Sequence, residues 1–222
     1  MIKLICMSAS AAFLIAVCAP MVQGGEIPAA VRKAADDGVH IFLKDQRLKG
    51  LQNLGFRSRS EKDNAYAGEG FQVFTILPDR LLNSPVRPDI AALVTPTNQW
   101  QFLINADGGS KALLTVDIMN NVWTPVSIGS AGLAAEISLF LERWPAASGY
   151  TYRLVRIYQA KAEFMELSRE GRLLGVVPLG SFNALTGRKN KPFDPADIRA
   201  PKDLLEKARP AVERNLQGTE AR

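Results

Sequence analysis

His40 is the only imidazole in the 222-residue chain, so any histidine-based triad must use it. No G-x-S-x-G elbow is present, and neither is the S-x-x-K spacing of serine-lysine acyl-enzymes. His40 sits between Val39 and Ile41 in an apolar run, which predicts a histidine packed in the core. One histidine excludes multi-histidine metal sites. Cys6 and Cys18 cannot make a four-cysteine zinc site. No metal or cofactor is expected.

Paired carboxylates can do acid–base work without histidine. Glu163 and Glu166 are the nearest candidates, but residues three apart in a strand point to opposite faces. Asp36 and Asp37 adjoin at a helix end, where solvation is the ordinary state. The run Asn105–Ser110 superficially resembles the start of a calcium loop, yet lacks the closing glutamate, so Asp107-Gly108 reads as a hairpin turn. No catalytic residue is assigned.

Two binding candidates remain. Gly129 and Ser130 open a helix whose first N–H groups are able to hold an anion, although Ser130 serves equally as a plain N-cap. Tyr150, Tyr152, Leu154, Arg156 and Tyr158 alternate along a strand, which puts three tyrosines and an arginine on one face while Arg153 points away. Such a face suits a glycan, a peptide or a partner protein. Its bland counterpart is a half-buried sheet surface with tyrosine hydroxyls reaching water.

The elements that must position these residues follow from pattern. Ile27–Asp37 reads as a helix with Pro28 in its first turn and Gly38 ending it. Val39–Leu54 fits a helix or a strand, and the polar stretch Gly55–Gly70 reads as an exposed loop. Phe71–Leu77 is a strand, followed by a region broken by Pro78, Pro85, Pro88 and Pro96. Trp100–Ile104, Ala112–Met119 and Val122–Val126 are strands joined by turns at Asp107–Ser110 and Asn120-Asn121. A helix then runs to Trp144, with Leu133, Ile137, Phe140, Leu141 and Trp144 at helical spacing. Tyr150–Ser168 and Leu173–Leu179 supply the remaining strands. We find no internal repeat. Hairpins on both sides of one amphipathic helix predict an α+β fold: a mainly antiparallel sheet, helices on one face, and a C-terminal helical tail.

The chain is expected to divide into a signal peptide (1–24), a single domain (25–186) and a basic linker with a C-terminal helix (187–222). Lys3 precedes a 16-residue apolar run, Leu4–Ala19, shorter than the roughly 20 residues of a spanning helix. Val22 and Gly24 suit cleavage after Gly24. A lipid-bearing Cys18 is the alternative, disfavoured by Val17 where a small residue is wanted. Cleavage discards both cysteines and leaves a thiol-free protein for an exported compartment. Residues 25–186 hold 17 Lys/Arg against 16 Asp/Glu, whereas residues 187–222 hold 9 against 6. A neutral body carries no footprint for nucleic acid. Arg188, Lys189 and Lys191 suit residues 187–222 to a weak contact with an anionic membrane surface. Lys202–Leu216 reads as a helix interrupted near Pro210, with Leu204, Leu205, Ala208 and Val212 as a modest apolar stripe.

The leading expectation is an exported, periplasmic or secreted, non-enzymatic module that binds an envelope protein or a glycan. The alternatives are an exported enzyme using carboxylate or tyrosine chemistry, and a peripheral membrane protein tethered by its tail.

Overall fold

A computed structural model describes residues 26–44, 54–85, 89–185 and 192–220. The leader, its two cysteines and the cluster Arg188, Lys189 and Lys191 lie outside the described residues. Seven strands form one sheet: β1 (Tyr66–Ile76), β2 (Val94–Ala106), β3 (Gly109–Met119), β4 (Val122–Gly129), β5 (Tyr150–Ile157), β6 (Ala162–Arg169) and β7 (Arg172–Pro178). Their order across the sheet is β4-β3-β2-β1-β5-β6-β7. Every neighbouring pair is antiparallel except β1 and β5, which are parallel. Two antiparallel meanders therefore meet at the centre.

Local chemistry sets the hairpins. Asp107 and Gly108, Asn120 and Asn121, and Glu170 and Gly171 all take positive φ, as two-residue turns matching the strand twist require. The α+β class, the mainly antiparallel sheet and the C-terminal helix are all present.

Helices cover both faces of the sheet rather than one, and the strand alternation shows why. In β3, Ala112, Leu114 and Val116 pack with α1 (Ala29–Val39), while Leu113 packs with α5 (Ala131–Arg143) on the other side. A run that is apolar at consecutive positions needs cover on both faces. The meander β2–β4 and helix α5 together make the long crossover that brings the chain from β1 back to its parallel neighbour β5. Helix α5 buries Ala134, Ile137, Phe140 and Leu141.

Other expectations are corrected. Gly38 does not end α1, which runs on to Val39 and continues as a wider π turn over His40–Lys44. A Cβ at Gly38 would stand 2.7 Å from Pro125 and 2.9 Å from Leu114, so glycine there permits close packing on β3 and β4. His40 is exposed, because the turn directs it away from the core. The stretch read as a loop instead contains α2 (Arg59–Asp63) and the start of β1. Ser58 caps α2 by accepting from the Glu61 N–H at 3.1 Å. The Glu61 carboxylate is buried, ion-paired to Lys111, and held below its ordinary pKa by the Arg57 N–H and then by that lysine.

The tail is not an appendage. Arg199 bridges Val176 of β7, and α7 (Pro201–Glu220) buries Leu204, Leu205, Ala208, Ala211 and Val212 in the same cluster as Phe74, Val155 and Phe164. Pro210 lies inside a continuous helix. Arg209 ties α7 to α3 (Pro78–Leu82), which precedes the short α4 (Ile90–Leu93), and to the turn after α3, donating to the Leu82 carbonyl at 2.9 Å and the Ser84 carbonyl at 2.8 Å. The modest apolar stripe Leu204, Leu205, Ala208 and Val212 is thus covered by the sheet and its helices. No helix among the described residues is long and apolar enough to cross a bilayer.

Candidate functional site

Parallel pairing of β1 with β5 is short. It covers only Val73–Thr75 against Leu154–Arg156. Before that point each strand keeps its outer partner, β2 or β6, while the two inner edges diverge. Register shifts between Ala67 and Gly70 and between Gln72 and Phe74 bend β1 at this place. Gly68 and Gly70 allow the bend: a Cβ at Gly70 would stand 2.4 Å from the Phe102 ring, and one at Gly68 would stand 2.2 Å from the Asn105 amide. The sheet opens like a fork.

The fork encloses a groove of about 580 Å³, within the usual range of about 300–1,000 Å³ for ligand sites. Its walls are the consecutive residues Gly68–Gln72 of β1 and Tyr150–Arg153 of β5. Successive strand residues point to opposite faces, so a wall made of consecutive residues is a backbone edge. Phe74 and Trp100 also line it, and Glu26, Ile27, Arg32 and Ala146 stand around them.

The electrostatics are partly settled already. Arg153 donates from Nε and Nη2 to Glu166 Oε1, at 3.1 and 2.5 Å, with its guanidinium 5.3 Å from the Phe74 ring centroid. Arg32 donates to the carbonyls of Gly68 at 2.8 Å and Ala67 at 3.3 Å, and lies 4.8 Å from the Phe102 ring centroid. Glu26 and Glu69 are exposed, and no described residue pairs with either. Burial, reinforced by the nearby Glu69 charge, pushes the Tyr152 hydroxyl up to about 12. At neutral pH that phenol is protonated and able to hydrogen-bond.

The structure separates the residues singled out from sequence. Tyr150 and Tyr152 both line the groove. Tyr152 packs edge-on to Phe140 and tilted to Phe71, and Tyr150 packs edge-on to Trp144. Arg156 is committed elsewhere: it is ion-paired to Glu163 and donates to Gln99 at 2.8 Å. Tyr158 does not continue the strand; it begins a 3₁₀ turn beside Arg156. Gly129 ends β4 opposite Leu113, and Ser130 takes a left-handed conformation with no side-chain cap, so the expected N-cap is absent. The left-handed turn itself starts α5, with Ser130 offering only its carbonyl to the Ala134 N–H at 3.0 Å. Neither Gly129 nor Ser130 lines the groove.

Glu163 and Glu166 point to opposite faces and pair across strands with Arg156 and Arg153. A carboxylate missed in the sequence, Glu136 of α5, faces Glu163 instead. It accepts the Gly180 N–H at 2.7 Å and so clasps α5 to α6 (Gly180–Leu185), while Ser181 donates to Glu163. Burial raises the Glu136 pKa, the Gly180 N–H opposes this, and the Glu163 charge adds to it. A folded state that holds this proton more tightly is most stabilised below the ordinary glutamate value of 4.5. That contribution is lost as pH rises through the raised folded value. Glu136→Gln keeps the acceptor for Gly180 and removes the titration. The variant should therefore melt higher than the parent at neutral pH, with the difference vanishing below pH 4.5 in a series of thermal melts. A parent and variant with parallel pH profiles would refute this.

Among the described residues, no group of three or more His, Cys, Asp or Glu side chains converges to hold a metal. Comparison with known proteins brings no match: no family model, no curated protein and no solved structure aligns with the chain.

Proposed function

We propose that this chain is an exported, non-enzymatic binding module of the cell envelope whose site is the fork between β1 and β5. The observation that carries the reading is a ligand-sized groove walled by two strand edges and lined with aromatic side chains. Its chemistry suits binding more than turnover. Arg153 is matched by Glu166, Arg32 holds backbone carbonyls, and the Tyr152 hydroxyl is neutral. The carboxylate pair Glu136 and Glu163, which favours acid–base chemistry by its unequal environments, is tied up in clasping α6 and in the Arg156 ion pair. Export is supported by the basic, apolar and small-residue pattern of residues 1–24.

A photo-crosslinking residue placed at Thr151 in the groove should capture a discrete envelope partner in intact cells. The same residue at Val122, exposed at the far hairpin, should not. Identical adducts from both positions, or none from Thr151, would remove the groove from consideration. Tyr158→Ala, outside the groove, should leave the Thr151 adduct unchanged. N-terminal sequencing of the purified protein should begin at Gly25, and a chain still carrying Met1 would end the export reading.

A further inference from the structure

We propose that the occupant of the fork is an extended, basic segment of a partner polypeptide, which pairs with the inner edge of β5 as an added strand. This rests on the groove being the site and goes on to name what it takes. Tyr150–Arg153 is hydrogen-bonded to β6 on one side only, and β1 joins its other side only from Leu154 onward. An unpaired strand edge is a template for another strand, and edge pairing supplies affinity through main-chain hydrogen bonds. The two edges are not equivalent. Along β1, Arg32 already occupies the carbonyls of Ala67 and Gly68. No side chain caps Tyr150–Arg153 in this way among the described residues, which singles out β5.

The rings argue for a peptide over a glycan. Sugars stack on exposed ring faces, whereas Phe71 and Phe74 are only 8% exposed and Trp100 only 6%. Tyr150 and Tyr152 are half-buried, Tyr150 packed against Trp144 and Arg169 and Tyr152 between Phe71 and Phe140. These rings offer apolar walls for alternate side chains rather than a stacking platform. The charges fix the sign of the ligand. With Arg153 cancelled by Glu166, the groove retains Arg32 against Glu26 and Glu69, a surplus of one negative charge held on exposed carboxylates. A lysine or arginine in the added strand gains a carboxylate partner at little desolvation cost. An acidic segment meets repulsion.

The probe is a fluorescent nine-residue peptide of alternating Thr and Val with two lysines, titrated against the full chain. Its twin carries glutamates in place of the lysines, and a third version is N-methylated at alternate amides. We expect the lysine peptide to bind at least tenfold tighter than the glutamate peptide, and Glu69→Lys to reverse that order. N-methylation should abolish binding, and hydrogen exchange should show the lysine peptide slowing the amides of residues 150–153. Three results would overturn the strand proposal: equal binding of the N-methylated peptide, protection absent from residues 150–153, or no binding of any peptide. Binding of chitotetraose in competition at the groove, with no peptide bound, would overturn the peptide while leaving the groove as the site. Failure of the groove itself is read separately, by the Thr151 crosslink.

Discussion

Replacing Leu204 and Leu205 together with alanine should leave the protein largely unfolded at room temperature. Both side chains are at most 1% exposed and sit in the cluster that contains Phe74, Ile76, Val155, Phe164 and Phe182. A buried Leu→Ala change costs about 2–5 kcal/mol, because the transfer term is joined by a cavity that the surroundings only partly fill. Two such losses in adjacent residues, even if not additive, approach the total stability of about 5–15 kcal/mol typical of a domain. Urea unfolding followed by circular dichroism should show each single variant with a markedly lower midpoint and an unchanged slope. Glu206→Ala, on the exposed side of the same helix, should shift the midpoint hardly at all. If the leucine variants behaved like Glu206→Ala, α7 would be a solvated appendage and the core assignment would fail.

The burial of α7 depends on contacts that its own sequence does not carry. The stripe Leu204, Leu205, Ala208 and Val212 was legible as a stripe, but the excess of basic residues around it suggested a tail set apart from the domain. Charge counts average over a helix, whereas burial depends on one face of it. The same averaging hid α2, whose polar sequence is anchored by Glu61 reaching Lys111 fifty residues away, on a strand that local pattern cannot pair with it. Signals carried within a few residues were readable: the positive-φ turns at Asp107-Gly108 and Asn120-Asn121 and the α5 stripe required no distant partner. The groove lay in between. Period-two alternation found Tyr150 and Tyr152, and extrapolated wrongly into Tyr158 because the strand ends at Ile157. Glu69, Arg32 and Trp100 had no local signature at all. They join the site only because β1 and β5, eighty residues apart in sequence, pair briefly and then separate.

Arg153→Ala should be the second most damaging change, and its mechanism is distinct. Glu166 is 5% exposed, and one of its oxygens, Oε2, already has no hydrogen-bond partner among the described residues. Removing the guanidinium strands a buried carboxylate, a loss of about 3–5 kcal/mol when such a pair is broken from one side. Replacing both members with leucine removes the charge and the need for a counter-ion together, so Arg153→Leu with Glu166→Leu should regain most of that loss. A double-mutant cycle by urea unfolding reads the difference. If the two single losses simply add in the double variant, the pair is not a coupled unit and Arg153 must be stabilising through its packing on Phe74 alone. The cycle bears on binding as well. Since the Arg153 charge is cancelled within the sheet, deleting both partners leaves the surplus on Glu26 and Glu69 unchanged. The double variant should therefore keep the preference for the lysine peptide over its glutamate twin. A preference that collapsed with the pair would mean that Arg153, and not Glu69, reads the ligand's charge.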